Sequence, residues 1–199
     1  MSESPLNGHV YAPHRAAFFR SWMEDPFQVA SIAPSGRMLA HRMTEGLAPG
    51  RTVIELGAGT GTITDAIRAR GVADADLHLI ELNDRFADIL DQRFPGASVH
   101  RVNAATIESV LPELVGQVDC IVSGLPILWF GRKTKSSILS AAFSMLRPGG
   151  FINQMTYWAR PPVSGSLRRE LGFTASLVGV APLNLPPAFV FRFRKEVHP

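Results

Sequence analysis

The chain has 199 residues, 46% hydrophobic and 19% charged, which excludes a disordered protein and fits one globular domain. Its single cysteine, Cys120, excludes a disulfide framework and favours a reducing compartment. Residues 1–119 carry 10 Lys/Arg against 15 Asp/Glu, whereas residues 120–199 carry 10 against 2. This asymmetry has two interpretations of equal weight: a basic face that binds an anionic partner, or chance clustering of charges on a solvated surface.

The N-terminal 48 residues are predicted to form a helical extension. Residues 1–11 lack the basic and apolar segments of a signal peptide. A helix over residues 14–25 gathers one apolar stripe, formed by Phe18, Phe19, Trp22 and Met23. Ser35 is predicted to cap a second helix that runs to about residue 46. Pro49 and Gly50 then separate this extension, residues 1–48, from a main domain over residues 49–199.

The main domain alternates apolar strands with helices. Strands are predicted over residues 52–56, 77–82, 98–102, 118–122 and 151–157, and helices over residues 60–70, 84–93, 107–115 and 136–146. This alternation indicates an α/β fold, a parallel sheet with helices on both faces. Two further strands, 173–180 and 188–195, have no helix between them, so they are predicted to add an antiparallel hairpin and complete a mostly parallel seven-stranded sheet. The longest apolar stretch, around residues 120–130, is too short to span a bilayer, so a soluble or peripheral protein is expected.

The first strand leads into a glycine-rich turn with the sequence Glu55-Leu56-Gly57-Ala58-Gly59-Thr60-Gly61. Glycines allow a tight turn close to a ligand, and the helix that follows offers free N–H groups. Glu55 stands before the first glycine, and Glu81 ends the second strand, where a carboxylate accepts hydrogen bonds from ribose hydroxyls. A nucleoside with a cationic amino acid portion satisfies both carboxylates, whereas a pyrophosphate is repelled by Glu55. The alternative is a bare tight turn with two solvated glutamates.

With these features the chain resembles the class I S-adenosylmethionine-dependent methyltransferases over residues 27–195. The resemblance implies a Rossmann-like fold and S-adenosylmethionine as the cofactor, with S-adenosylhomocysteine as the product. The adenine position holds Asn103 where the family usually has Asp, and an amide oxygen is a weaker acceptor. No metal site is predicted. The expected cofactor-binding residues are Ser35, Glu55, Gly57, Ala58, Gly59, Thr60, Gly61, Glu81, Leu82, Asn103, Ala104 and Ser123.

The fourth strand ends in the sequence Ser123-Gly124-Leu125-Pro126, which is followed by an apolar stretch. Together with the Arg147–Gly150 turn and the sequence of residues 184–188, this loop resembles the bacterial phospholipid N-methyltransferases. The resemblance implies N-methylation of phosphatidylethanolamine, and of its mono- and dimethyl forms, towards phosphatidylcholine. It also implies a peripheral position on the inner face of the cytoplasmic membrane. The predicted catalytic residues are Ser123, Gly124, Leu125, Pro126 and Tyr157.

A lipid substrate requires a surface that contacts a membrane. The predicted contacts are aromatic or apolar residues that embed at the interface and basic residues that attract anionic lipids. They are Phe18, Phe19, Trp22, Met23, Trp129 and Trp158, with Arg132, Lys133, Lys135, Arg160, Arg168 and Arg169. The alternative for the N-terminal stripe is that it packs on the sheet and covers the cofactor.

Two other functions are considered. An rRNA adenine N6-dimethyltransferase would bind RNA phosphates with the basic face, but the acceptor loop lacks the leading Asn and the trailing aromatic residue that stacks on a flipped base. A membrane-binding module without catalysis would keep only the cofactor site. The expected partners are therefore a phospholipid and an anionic membrane surface, rather than a nucleic acid.

Overall fold

The computed structural model describes residues 34–184 and 186–196. The predicted helix over residues 14–25 lies outside these residues, so Phe18, Phe19, Trp22 and Met23 have no structural account. The backbone of Ser35 is described, but its side chain is outside the described part of the chain.

Helices and strands alternate along the chain as far as the fifth strand. The described helices are α1 (Pro34–Met43), α2 (Thr62–Arg68), α3 (Asp84–Arg93), α4 (Ile107–Val110), α5 (Arg132–Met145) and α6 (Gly165–Glu170). The strands are β1 (Val53–Leu56), β2 (Leu77–Ile80), β3 (Ser98–His100), β4 (Val118–Ser123), β5 (Leu146–Thr156), β6 (Phe173–Ala181) and β7 (Ala188–Lys195).

The seven strands form one sheet in the order β3-β2-β1-β4-β5-β7-β6. Strands β1 to β5 pair in parallel, whereas β7 pairs antiparallel with both β5 and β6. The predicted α/β fold with a terminal antiparallel hairpin is therefore confirmed. The strand order reverses between β1 and β4, and ligands of such sheets bind at the carboxyl ends of the strands beside that reversal.

Both faces of the sheet are covered, so the parallel strands are apolar on both sides. Ile54 and Ile121 pack in one core with residues of α4 and α5. Val53 and Val122 pack in the other core with residues of α1, α2 and α3. Met43 of α1 is fully buried in this second core, so α1 packs against the same sheet as the main domain. No helix in the described part of the chain is long and apolar enough to cross a membrane.

A buried amide ties the end of α1 to the sheet. Asn153 of β5 donates from Nδ2 to the carbonyl oxygens of Met43 (2.8 Å) and Glu45 (3.0 Å). Its Oδ1 accepts from Nε of Arg192 at 3.0 Å, and the Arg192 guanidinium lies 4.1 Å from the centre of the Phe151 ring. These contacts satisfy carbonyl groups that the end of a helix leaves without a partner.

Several predicted boundaries were wrong. Helix α1 includes both Pro34 and Ser35, so Ser35 lies within the helix and is not its N-cap. Helix α5 begins at Arg132, four residues earlier than predicted. Strand β5 follows it directly at Leu146, so residues 147–150, which were predicted to form a turn, belong to the strand. The pairing of β5 with β4 shifts in register at these residues. Helix α6, whose N-cap is Ser164, was not predicted.

Candidate active site

An open cleft of about 540 Å³ lies at the carboxyl ends of β1 to β4. This volume lies within the roughly 300–1000 Å³ of a typical small-ligand pocket, so the cleft has room for a nucleoside. Its lining residues are Gly57, Gly59, Ile80, Glu81, Leu82, Asn83, Asp84, Phe86, Val102, Asn103, Ala104, Leu125, Phe130, Thr134 and Ile138.

Glu81 stands at the centre of this cleft, directly after β2. One carboxylate oxygen accepts from the backbone N–H of Gly59 at 2.9 Å, and the other accepts from the N–H of Asn83 at 2.8 Å. The carboxylate therefore connects the glycine-rich turn to the start of α3. Each oxygen keeps a lone pair for a further donor, which is what the two hydroxyls of a ribose provide.

The glycine-rich turn contributes to the cleft at two positions. Gly57 and Gly59, with φ of 72° and 57°, both line the cleft. The other predicted turn residues do not line the cleft: Ala58 packs in the apolar core, the Thr60 carbonyl accepts from Arg93, and Gly61 lies against Phe94. Two of the turn glycines therefore face the cleft.

The wall of the cleft fits an adenosine without phosphates. Among the described lining residues there is no Lys or Arg, and the charged side chains are Glu81 and Asp84. Leu82 and Phe86 supply apolar surface for a base. Asn103 uses its Oδ1 to accept from the N–H of Ala105 at 2.9 Å, so its NH₂ group is the part of the amide that remains to donate to a base. A nucleoside with a positively charged sulfonium matches this wall.

Glu55 does not lie where the sequence predicted. Strand β1 is buried on both faces, and the side chain of Glu55 points to the face covered by α2, where Oε2 accepts from Thr64 Oγ1 at 2.6 Å. Within the described structure Oε1 has no hydrogen-bond partner. Burial raises the pKa of the Glu55 carboxyl to about 8, against the lowering effect of the Thr64 hydrogen bond.

The Glu55→Gln variant is expected to lose part of the pH dependence of folding stability. The carboxyl pKa rises from 4.5 to about 8 on folding, so the folded protein keeps a proton that the unfolded chain releases. The contribution of Glu55 to the unfolding free energy is then fully present below the unfolded pKa. It falls by about 1.4 kcal/mol per pH unit as the pH rises towards the folded pKa. The neutral Gln has no such decline. Urea unfolding between about pH 5 and about pH 8 measures the difference.

Glu108→Gln is the control for this experiment, because Glu108 is exposed and remote from β1. Its unfolding free energy should follow that of the wild type at each pH. Parallel curves for Glu55→Gln and the wild type would contradict a neutral, buried Glu55.

A smaller apolar hollow adjoins the cleft. It is lined by Gly124, Leu125, Pro126, Leu128, Trp129, Met155, Thr156 and Tyr157. Leu125 lines both the hollow and the cleft, so the two spaces meet at its side chain. A Cβ added at Gly57 would lie 2.8 Å from Cδ2 of Leu125, which shows how closely this side chain covers the glycine-rich turn.

The predicted catalytic residues divide into two groups. Gly124, Leu125, Pro126 and Tyr157 line the hollow, and burial raises the pKa of the Tyr157 hydroxyl. Ser123 is 1% exposed, its Oγ is enclosed, and it has no hydrogen-bond partner among the described residues. The Ser123 side chain therefore does not face the hollow or the cleft in this structure, because strand alternation directs it into the core.

Among the described residues that were predicted to contact a membrane, Trp129 lines the hollow. Trp129 and Trp158 are 37% and 57% exposed. Lys135 is half-buried and its Nζ donates to the carbonyl oxygens of Leu128 (3.2 Å) and Pro162 (2.9 Å), so it joins the segments on either side of the hollow rather than pointing to solvent. Arg132 pairs with Glu170 of α6. The other predicted basic residues are the exposed Lys133, Arg160 and Arg169 and the half-buried Arg168.

Several lining residues were missed from the sequence. Thr134 and Ile138 line the cleft from one face of α5, four residues apart, which is the helical spacing that places side chains together. Asp84 and Phe86 line the cleft because α3 begins shortly after Glu81. The sequence predicted this helix, so their position could have been inferred. The buried Gln154 was not predicted as a site residue either, because the sequence does not show which group a polar residue in a strand contacts.

Comparison with known proteins agrees with this geometry. The methyltransferase domain family matches residues 53–150. The ornithine lipid N-methyltransferase of Singulisphaera acidiphila is 32% identical over 170 residues, which cover 80% of this chain and 85% of that protein.

Solved structures share the fold. The 1,6-didemethyltoxoflavin-N1-methyltransferase of Burkholderia thailandensis, with S-adenosylhomocysteine bound, has a TM-score of 0.63 at 17% identity, covering 98% of this chain and 95% of that one. The magnesium protoporphyrin IX methyltransferase of Synechocystis PCC 6803, with bound S-adenosylmethionine, has a TM-score of 0.61 at 11% identity, covering 96% and 100%.

Proposed function

Since the chain belongs to the class I S-adenosylmethionine-dependent methyltransferases, we propose that it methylates the amino group of a membrane lipid. The proposed substrate is phosphatidylethanolamine, together with its mono- and dimethyl forms. S-adenosylmethionine is the cofactor.

The observation that carries this proposal is the apolar hollow that meets the cofactor cleft at Leu125. Its described lining holds no charged side chain, so an amine that enters it is favoured in the neutral form, which has the lone pair needed for attack. The hollow, of about 20 Å³, has room for a group as small as an amine, so the apolar remainder of the substrate would lie outside it.

The residues of the hollow supply positioning and exclusion of water. S-adenosylmethionine supplies the electrophilic methyl group. Leu125, which also lines the cleft, and Pro126 line the hollow together with the aromatic residues Trp129 and Tyr157. Alignment of two reactants in a closed site accounts for large rate gains without an acid or base. Aromatic faces also accommodate the charge of a quaternary ammonium product.

A membrane surface is proposed as the partner. The exposed Trp129 lines the hollow, and the exposed Trp158 directly follows the lining residue Tyr157 in the chain. Tryptophan side chains are suited to the bilayer interface. Arg132, Lys133 and Arg160 follow them closely in the chain, and each basic residue near an anionic surface contributes about 1 kcal/mol. The lipid substrate named for the Singulisphaera relative supports the substrate class. The proposed location is the inner face of the cytoplasmic membrane.

The test uses the full chain with methyl-labelled S-adenosylmethionine. Separate reactions contain vesicles of phosphatidylethanolamine, of ornithine lipid, or of phosphatidylcholine as the control, each with and without an anionic lipid, and a further reaction contains ribosomal RNA. We expect label in phosphatidylethanolamine, and faster labelling when the anionic lipid is present at low salt.

The other outcomes are informative. Label in ornithine lipid alone would keep a lipid amine as the acceptor and replace the headgroup. Label in RNA alone would favour the adenine dimethyltransferase. Cofactor binding in calorimetry without label in any acceptor would favour the non-catalytic module.

A further inference from the structure

We propose that Gln154 is a positioning residue for methyl transfer, and that it acts by holding the acceptor loop, residues 124–130, in place at the junction of the hollow and the cleft. The proposal rests on the proposed function for its kinetic part. Its structural part, the restraint on the loop, is independent of the substrate.

Gln154 lies in β5 and is 0% exposed. Its Nε2 donates to the carbonyl oxygen of Leu125 at 2.8 Å and to that of Met155 at 2.8 Å. In the register of the sheet Gln154 is paired with Ser123, the residue that directly precedes the acceptor loop. One side-chain amide thus joins a stiff central strand to a loop that has no ladder partner of its own.

The Leu125 carbonyl is the point that this amide holds. The same oxygen accepts from the N–H of Ile127 at 2.8 Å. Pro126 between them has φ of −78° and ψ of 56°, the conformation of an inverse γ-turn. The two hydrogen bonds use both lone pairs of the oxygen, so the carbonyl serves the loop. Both lone pairs are thus occupied within the protein, and neither is left for the substrate amine.

Holding this carbonyl also orients the Leu125 side chain. The side chain covers Gly57 and lines both spaces, so its position decides whether the amine and the cofactor share one opening. A displacement of about 1 Å in such a junction is enough to reduce rate strongly, because methyl transfer requires an aligned approach.

Stability alone does not account for an amide at this position. Within the described residues Oε1 of Gln154 has no hydrogen-bond partner, and neither has Oγ of Ser123. A buried polar atom without a partner destabilises the folded state, and an apolar side chain would fill the space without this cost. Residues that destabilise the folded state in this way are concentrated at functional sites.

Asn153 offers a matched control one residue earlier in the same strand. It is equally buried, and its Nδ2 also donates to two backbone carbonyls, those of Met43 and Glu45, but on the opposite face of the sheet. Loss of either amide removes two hydrogen bonds to backbone carbonyls, and loss of Asn153 also removes the hydrogen bond from Arg192. Only the loss of Gln154 releases the acceptor loop.

The experiment compares Gln154→Leu and Asn153→Leu in the full-length protein. For Gln154→Leu we expect kcat to fall about 10- to 100-fold while the dissociation constant for S-adenosylhomocysteine stays within about threefold. Hydrogen exchange should accelerate at residues 124–130 and stay unchanged at residues 43–47. Asn153→Leu should show the reverse exchange pattern, with kcat within about threefold of the wild type.

Gln154→Glu adds a second measurement, the pH dependence of activity, which a purely structural role of Gln154 would leave unchanged. An ionised carboxylate cannot donate to Leu125, whereas a protonated one can. The activity of Gln154→Glu relative to the wild type should therefore rise as the pH falls. If Gln154→Leu does not fold, Gln154→Asn replaces it, because the shorter amide keeps polarity and loses reach.

Wild-type kcat in a folded Gln154→Leu or Gln154→Asn, or unchanged exchange at residues 124–130, would overturn the proposal. If the wild type labels no lipid, the proposed function fails, and the exchange comparison still decides whether Gln154 restrains the loop.

Discussion

The Glu81→Gln variant is expected to bind S-adenosylhomocysteine about 100-fold more weakly than the wild type, which corresponds to about 2.7 kcal/mol. In the wild type the two carboxylate oxygens accept from the N–H groups of Gly59 and Asn83. A carboxamide has one oxygen, so its NH₂ group must face one of these N–H groups. The variant loses a backbone hydrogen bond, gains a repulsive contact, and loses an acceptor for the ribose.

Isothermal titration calorimetry measures this affinity directly. Because Glu81 also connects the turn to α3, a fall of a few degrees in the melting temperature should accompany the change. Glu108→Gln, a change of the same type at an exposed site, should bind as the wild type does. Affinity within about threefold of the wild type in Glu81→Gln would show that the ribose is held elsewhere.

Gly61→Ala is expected to destabilise the fold by about 2–5 kcal/mol, from backbone strain of about 1–2 kcal/mol and overpacking of about 1–3 kcal/mol. Gly61 has φ of 87°, in the left-handed region. A Cβ there would lie 2.9 Å from Cζ of Phe94 and closer still to Cε2. Phe94 is 1% exposed and packed in the core, so it has little freedom to move. Urea unfolding followed by circular dichroism measures the loss.

Gly116→Ala separates strain from overpacking. Gly116 has φ of 72°, and a Cβ added there meets nothing within 4 Å. We expect a loss of about 1–2 kcal/mol from strain alone, with cofactor binding unchanged. Equal losses in Gly61→Ala and Gly116→Ala would mean that Phe94 relaxes and that the turn is less constrained than its geometry indicates.

Much of the fold was predictable because its signals are local. Apolar runs marked the strands, and glycine and proline marked their ends. The boundary at Leu146 was not predictable, since a helix that passes directly into a strand leaves no turn to read, and residues 147–150 have the composition of a turn. Helix α6 is six residues long and too short for a periodic pattern.

The candidate site was predictable where strand ends alone decide it, as at Glu81 and Asn103. The orientation of Glu55 was not, because a strand buried on both faces gives no pattern that tells which face a polar residue joins. The partners of Gln154 and Lys135 were hidden for a related reason. Both donate to backbone carbonyls, and a carbonyl acceptor is present at every position of the sequence.

The acidic wall of the cleft bears on competition from other metabolites. ATP and NAD carry the same adenosine, but their phosphates would approach Glu81, and no Lys or Arg is among the described residues that line the cleft. Asp84 adds a second carboxylate, which Arg101 partly compensates at 3.9 Å. Each pair of like charges about 4 Å apart near a protein surface costs roughly 1–4 kcal/mol. ATP and NAD should therefore compete only weakly with S-adenosylmethionine for this cleft.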